Sequence, residues 1–167
     1  MKKVLIALDY DPSAQKIAEA GYALAQSMNA ETMLLHVFAE PHYYATVGVS
    51  PITGLNDHLQ VVPMILENME DLKEEAKKYL DRTKAHLGGA SIQTLVKEGE
   101  PDSAILDTAK AINADVIVLG SHSRRWIENI LLGSVAEKVL KNTPVPLYII
   151  PLKKKDDKQK FSRQESL

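Results

Sequence analysis

Two hydrophobic patterns alternate along most of this chain. Short apolar runs, most of them continuous, are typical of strands that are covered on both faces of a sheet. Between them, apolar residues recur every three or four positions, as they do in a helix with one buried face. The short runs predict strands over 4–8, 32–38, 91–97, 116–119 and 145–150.

Turn-forming and capping residues between these strands support four helices. Asp11-Pro12-Ser13 offers a turn and a cap before the first helix, and Gly88-Gly89 ends the second. The predicted helices span 17–28, 65–87, 101–112 and 134–140. The stretch over 39–60 is irregular, and a connection of this length is typical of a lid or a disordered loop.

Strands that alternate with crossover helices predict one parallel sheet with right-handed connections. The expected fold class is therefore α/β: a doubly wound, five-stranded parallel sheet with helices on both faces, flavodoxin- or Rossmann-like. The last strand runs from Val145 to Ile150 between prolines, which favours a position at the edge of the sheet. Ligands of such sheets bind beyond the carboxyl ends of the strands. Those ends are at Asp9, at 37–39 and from Gly120 onward.

Length and composition narrow the class of protein. The chain has 167 residues, 45% of them hydrophobic and 25% charged, which suits a single domain with a substantial core. It has no cysteine, which excludes a disulfide scaffold, a thiolate metal site and a cysteine nucleophile. No apolar run approaches the ~20 residues of a membrane span, and the one before Asp9 is too short for a signal peptide. We therefore expect a cytoplasmic protein without a membrane partner. A nucleic-acid partner is not expected, because the net charge is only −2.

The end of the chain differs from the rest in charge. Residues 153–167 hold six basic and three acidic side chains, so they carry three net positive charges and leave −5 for residues 1–152. Few large apolar side chains lie in this stretch, which predicts a flexible appendage. The expected organisation is an α/β domain over 1–151 and a basic tail over 152–167. A basic arm that binds a partner is the alternative interpretation of the tail.

The segment richest in chemistry follows the fourth strand. It reads Gly-Ser-His-Ser from Gly120 to Ser123, and after nine further residues comes Gly133-Ser134 at the start of a helix. Backbone N–H groups without bulky side chains, next to a helix N-terminus, form a natural anion pocket, and serine hydroxyls add donors for phosphate oxygens. The alternative is that Gly133 and Ser134 only cap the last helix.

Other chemistries have less support in the sequence. The five histidines show no spacing typical of a pair of metal ligands. His36 lies in a buried strand and is interpreted as a satisfied core or pocket residue. Ser121, His122 and Asp9 supply the side-chain types of a catalytic triad, but their spacing does not favour one. No Walker-type motif is present either. Together these observations predict no catalytic residue and no metal ligand.

The chain resembles the universal stress protein family. That family carries a Gly-x-x-Gly, nine-residue gap, Gly-Ser/Thr signature after its fourth strand. This chain has the first glycine, the gap and the final Gly133-Ser134, with Ser123 in place of the second glycine. The resemblance spans about 1–151 and implies an adenine nucleotide alpha hydrolase-like fold. The other matching segments are Leu8-Asp9, Leu35-His36-Val37, Gly99-Glu100-Pro101 and Pro144-Val145-Pro146.

The resemblance also implies a site for ATP, with Mg²⁺ coordinated mainly through the phosphates. Ala7, Leu8 and Asp9 would line the pocket near the base and ribose, and the backbone of Val37 would meet the adenine edge. The positions expected at and next to the phosphates are Leu119, Gly120, Ser121, His122, Ser123, Gly133, Ser134 and Val135. Family members that lack the glycine motif do not bind nucleotide, and Ser123 leaves that second branch open.

The function implied by the resemblance is that of a homodimeric, ATP-binding stress-response protein that is not an enzyme. Ordering of 39–60 and 121–132 over the nucleotide would link binding to signalling. Dimerisation is expected through the last strand, because an apolar edge without a covering helix favours strand-to-strand pairing and because family members commonly dimerise there. The alternatives are a dimerisation module that does not bind nucleotide, and a weak ATPase.

Overall fold

The structure, a computed structural model, describes residues 1–38, 69–121 and 132–152. The strands are β1 (Lys3–Leu8), β2 (Glu31–Phe38), β3 (Gln93–Glu98), β4 (Val116–Gly120) and β5 (Leu147–Ile150). The helices are α1 (Ala14–Ser27), α2 (Met69–Leu87), α3 (Pro101–Ile112) and α4 (Ser134–Asn142). Each predicted strand and helix is thus confirmed within this range. The predictions for 39–60, for the first turn of the second helix, for His122 and Ser123, and for the chain beyond Leu152 lie outside it.

Residues in the left-handed conformation follow three of the helices. Asn29 has φ of +50° after α1, Gly88 has φ of +68° after α2, and Asn113 has φ of +52° after α3. Asparagine and glycine adopt this conformation at the least cost, which makes them common helix terminators. At its other end, α3 begins at Pro101, where a missing N–H costs no helical hydrogen bond.

The five strands form one parallel sheet in the order β3-β2-β1-β4-β5. This order makes the fold Rossmann-like, since it matches the first five strands of that arrangement. The predicted edge position of the last strand is confirmed, although β5 begins at Leu147 rather than at Val145. Pro146 accepts a hydrogen bond from the Ile117 amide but has no N–H of its own to give.

Helices cover both faces of the sheet, as predicted. Val4, Ile6 and Leu34 point to one face and pack against α1 and α2, while Leu5 and Leu35 point to the other face and pack against α3 and α4. These five side chains are fully buried. The alternation along β1 and β2 explains why both strands read as continuous apolar runs in the sequence.

No helix within the described residues is long and apolar enough to cross a membrane.

Candidate functional site at the carboxyl edge of the sheet

The strand order reverses between β1 and β4, and in doubly wound sheets such a reversal leaves a crevice beyond the carboxyl ends of the two strands. β1 pairs with β2 on one side and with β4 on the other. The helix after β1, α1, and the helix after β4, α4, lie on opposite faces of the sheet. Ligands of doubly wound sheets bind at such a point. The crevice is bordered by Asp9, which follows β1, and by Gly120 and Ser121 at the end of β4.

The predicted site residues inside the strands differ in what they can offer a ligand. Leu8 and Leu119 are buried and belong to the two hydrophobic cores. Ala7 and Val37 are half-buried and pack against the core under α3 and α4. The side chains of Leu8 and Leu119 are thus committed to packing, which leaves their backbone as the part that can meet a ligand.

Two consecutive turns fix the loop that contains Asp9. The Asp9 carboxylate accepts a hydrogen bond from the Asp11 amide at 3.1 Å. The Asp11 carboxylate in turn accepts bonds from the Ser13 amide at 2.8 Å and from the Ser13 hydroxyl. Such side-chain-to-backbone bonds hold a loop in one conformation just before a helix. Asp9 is therefore held at the crevice by the chain's own turn chemistry.

Three aromatic rings pack against one another next to the same loop. The rings of Tyr10 and His36 lie 4.3 Å apart between centroids, and Tyr79 lies 5.0 Å from Tyr10 and 5.7 Å from His36. The Tyr79 hydroxyl donates to the Asp9 carbonyl oxygen at 2.7 Å. His36 Nδ1 lies 2.8 Å from the Leu8 carbonyl oxygen, so that contact requires the proton on Nδ1. Two consecutive carbonyls at the end of β1 are thus fixed by side chains from other elements.

The surroundings of Tyr79 also change its acidity. Burial raises the pKa of the Tyr79 phenol well above its usual value of 10, and the negative charge of Asp9 adds to the rise. The sequence pattern did not predict a role for Tyr79 at this site, because Tyr79 lies within the predicted helix over 65–87, far along the chain from Asp9. The available signal was its polar tip, because a buried tyrosine hydroxyl usually finds a hydrogen-bond partner.

Gly120 is a position where the chain has no room for a side chain. A β-carbon there would lie 2.5 Å from Ile17 Cδ1 and 3.0 Å from Leu152 Cδ1. Ile17 and Leu152 are both buried. The first glycine of the motif therefore has a packing role in the core, apart from any role toward a ligand.

Ser121 connects three parts of the chain at the end of β4. Its amide donates to the Ile150 carbonyl oxygen at 2.9 Å, and its hydroxyl oxygen accepts from the Leu152 amide at 3.0 Å. Its carbonyl oxygen accepts from the Gly133 amide at 2.5 Å. Ser121 is buried, and its hydroxyl, predicted as a phosphate donor, holds the segment after β5 in place.

The N-terminus of α4 opens beside Ser121. Gly133 precedes the helix with φ of −71° and ψ of 159°, and no side chain within the described residues caps the helix. The amides of Ser134 and Val135 belong to the first turn, where N–H groups have no partner inside the helix. Any residue can adopt the backbone conformation of Gly133. What glycine adds is an approach to these amides without a β-carbon in the way.

The structure therefore brings part of the predicted site together. Asp9, Gly120 and Ser121 border the crevice, and the bond from Gly133 to Ser121 brings the start of α4 to the same edge. Ala7 lies in β1, two residues before Asp9, and Val37 lies in the neighbouring strand β2. Both lie on the face covered by α3 and α4. Among the described residues, no cluster of histidine and acidic side chains could hold a metal ion.

A separate cavity of about 240 Å³ lies at the opposite, amino end of the strands. Its lining includes Lys3, Glu31 and Gln93, which are the first residues of β1, β2 and β3. None of the predicted site residues lines it.

A parallel sheet with the strand order β3-β2-β1-β4-β5 and helices on both faces places this chain in the class of Rossmann-like α/β domains. The family model of the universal stress protein family matches residues 1–151, and the chain belongs to this family. The universal stress protein YxiE of Bacillus subtilis is 33% identical over 152 residues, which is 89% of this chain and 97% of YxiE.

Solved structures agree with this assignment. The structure of the protein MJ0577, from Methanocaldococcus jannaschii, has a TM-score of 0.70 and 26% identity, and the match covers 92% of this chain and 97% of that one. A universal stress protein from Archaeoglobus fulgidus was solved in complex with dAMP. It has a TM-score of 0.61 and 17% identity and covers 90% and 98% of the two chains, so it supports the fold alone.

Proposed function

We propose that this universal stress protein binds an adenine nucleotide, ATP, in the crevice between the carboxyl ends of β1 and β4. The observation that carries the proposal is the N-terminus of α4, which has no side-chain cap from the described residues and which the Gly133 amide ties to Ser121 at the point where the strand order reverses. Free first-turn amides at such a point suit a phosphate group. The dAMP complex of a relative of the same fold is consistent with an adenine nucleotide as the ligand.

In this proposal, the two sides of the crevice have separate tasks. Asp9 and the backbone of Ala7, Leu8 and Val37 receive the base and ribose. The amides of Ser134 and Val135, next to Gly133 and with Leu119 through Ser123, receive the phosphates. Mg²⁺ accompanies the nucleotide through its phosphate oxygens, because the donors on the protein side are mainly N–H groups and hydroxyls.

The proposed role is regulatory binding in the cytoplasm, with a change of conformation as the output. Among the described residues that border the crevice, Asp9 has a carboxylate of the kind that a general base needs, but one oxygen of that carboxylate already accepts a hydrogen bond from the Asp11 amide. We therefore propose a binding protein in which any hydrolysis of ATP is slow and incidental.

We further propose that two copies associate through β5. This strand lies at the edge of the sheet, and Tyr148 on it is 46% exposed while Leu147 and Ile149 are half-buried. An exposed apolar edge can pair with its own copy about a two-fold axis. Light scattering on the full chain should give twice the chain mass, and Tyr148→Lys should shift the protein toward the monomer. A monomer for the unmodified chain at micromolar concentration would remove this part of the proposal.

Calorimetry with ATP and Mg²⁺ tests the binding proposal. We expect saturable one-site heat for the unmodified chain and its loss in Gly133→Val, because the added side chain would stand in front of the first-turn amides. The variant's backbone can keep the observed φ and ψ, so an unchanged melting temperature without ligand would confirm that it folds. No heat for the unmodified chain at millimolar ATP would favour the dimerisation module instead. Phosphate release that disappears in Gly133→Val would favour the weak ATPase.

A further inference from the structure

The backbone on both sides of the Asp9 Cα is held by side chains from other elements. His36 Nδ1 lies 2.8 Å from the Leu8 carbonyl oxygen, and the Tyr79 hydroxyl donates to the Asp9 carbonyl oxygen at 2.7 Å. The first carbonyl belongs to the peptide unit before the Asp9 Cα, and the second to the peptide unit after it. Because each peptide unit is planar, holding both units sets φ and ψ of Asp9 and thereby the direction of its Cα–Cβ bond.

A third contact sets the carboxylate itself. One oxygen of the Asp9 carboxylate accepts from the Asp11 amide at 3.1 Å, which limits rotation of the side chain. Asp9 is half-buried where it follows β1. Its backbone and its carboxylate are therefore arranged before a ligand arrives.

The helix that carries Tyr79 lies apart from the proposed phosphate side. α2 packs on β2 and β3, on the same face of the sheet as α1, whereas α4 lies on the other face. The Tyr79 ring also packs against Tyr10 and His36, at 5.0 and 5.7 Å between centroids, which keeps the hydroxyl at the Asp9 carbonyl. The two sides of the crevice thus have separate supports: α2 for the loop with Asp9, and Ser121 for the start of α4.

We propose that Tyr79 is a positioning residue for the base and ribose of the nucleotide, and that its hydroxyl holds Asp9 in the conformation that binds them. This inference rests on the proposed function, which assigns the base and ribose to Asp9. Tyr79 acts through Asp9 and needs no contact of its own with the nucleotide. The affinity for the nucleoside part of the ligand then depends on α2, while the phosphate contacts at α4 do not.

Calorimetry at pH 7 compares the unmodified full chain with Tyr79→Phe, using ATP and adenosine as separate ligands. Without the hydroxyl, the Asp9 backbone samples other conformations and has to be ordered when the ligand binds. One hydrogen bond of ordinary strength corresponds to a factor of about five in an equilibrium constant. We therefore expect both ligands to bind about fivefold more weakly to the variant. Well below the melting temperature nearly every molecule is folded, so a loss of stability alone would leave both affinities unchanged.

Thr83→Val is the matched control on the same helix. The Thr83 hydroxyl donates to the Tyr79 backbone carbonyl at 3.0 Å, so this substitution also removes a hydroxyl and a hydrogen bond from α2. Valine keeps the shape of threonine, and the lost bond lies within the helix. We expect the ATP affinity to change by less than about twofold, since such bonds contribute little to a helix. An equal loss in Thr83→Val and Tyr79→Phe would attribute the effect to α2 as a whole and overturn the role of the hydroxyl.

Backbone amide NMR shows which side of the site the substitution affects. At saturating ATP, the Ser134 and Val135 amides should shift as far in Tyr79→Phe as in the unmodified chain. The shift of the Tyr10 amide should differ between the two proteins, because this amide belongs to the peptide unit whose carbonyl Tyr79 holds. Loss of the Ser134 and Val135 shifts in the variant would mean that the whole site is disturbed, which would overturn the inference.

The remaining outcomes separate this inference from the proposed function. If Tyr79→Phe binds ATP as tightly as the unmodified chain, the positioning role is overturned and the proposed function stands. The same holds if ATP binds both proteins and adenosine binds neither, because the nucleoside part would then contribute no affinity of its own. If the unmodified chain binds neither ligand, the proposed function fails and this inference fails with it.

Discussion

Replacing Tyr79 with phenylalanine removes one hydrogen bond at the end of β1 and leaves the aromatic ring in place. The lost bond is the one that the Tyr79 hydroxyl donates to the Asp9 carbonyl at 2.7 Å. The ring contacts with Tyr10 and His36 do not depend on the hydroxyl. A bond of this kind contributes about 1 kcal/mol to the free energy of unfolding. At pH 7 we therefore expect Tyr79→Phe to be less stable by about 1 kcal/mol.

In alkali, the same substitution should raise the free energy of unfolding relative to that of the unmodified protein. The pKa of Tyr79 is raised in the folded chain by burial and by Asp9, whereas a tyrosine in the unfolded chain ionises near pH 10. Above pH 10 the unfolded chain therefore loses a proton that the folded chain keeps, and the free energy of unfolding falls as pH rises. By pH 11 the ionisation of this one group has lowered the free energy of unfolding of the unmodified protein by about 1.4 kcal/mol, and it does not affect the variant. The two proteins should be equally stable at about pH 10.6, where this loss equals the 1 kcal/mol that the hydrogen bond contributes.

Urea unfolding of both proteins at pH 7, 9, 10 and 11, at one protein concentration, measures this difference. Other groups that titrate in alkali are common to both proteins and cancel. Tyr148→Phe is the matched control for the removal of a tyrosine hydroxyl, because Tyr148 is 46% exposed. A Tyr79→Phe difference that stays constant from pH 7 to pH 11 would show that burial does not raise the pKa of Tyr79 in the folded chain. No loss at pH 7 would refute the role of the hydrogen bond.

Two further substitutions test the packing around the site and the core. Gly120→Ala should lower the free energy of unfolding by about 1–3 kcal/mol, because its β-carbon would lie 2.5 Å from the buried Ile17 side chain; a change below about 0.5 kcal/mol in urea unfolding would show that the core relaxes freely. Leu34→Ala should cost about 2–5 kcal/mol at a fully buried position. The same change at Leu140, which is 51% exposed, should cost far less, and similar losses at both positions would contradict the burial described here.

Local signals in the sequence were enough to predict the strands and helices. The continuous apolar runs reflect strands covered on both faces, and Gly88 ends α2 through a property of the residue itself. Boundaries were less certain where polar or small residues extend an element. The predicted helix begins at Ile17, while α1 begins at Ala14, because a small buried residue such as Ala14 gives a weaker hydrophobic signal than isoleucine.

The contacts that complete the site could not be predicted in the same way. The bond from Tyr79 to Asp9 joins residues 70 positions apart, and the bond from Leu152 to Ser121 joins residues 31 positions apart. Both depend on the strand order, which periodicity does not encode. The packing role of Gly120 could not be predicted either. Its motif indicated a ligand, whereas the side chains around it also favour glycine at this position.

Backbone amide NMR of the full chain during a titration with ATP and Mg²⁺ shows where an adenine nucleotide binds. If it binds at the carboxyl edge of the sheet, against the start of α4, the Gly133, Ser134 and Val135 amides should show saturable shifts at one common affinity. Binding at this site is contradicted if these amides do not shift, or if the shifts appear instead around Lys3 and Gln93 at the cavity on the opposite edge of the sheet.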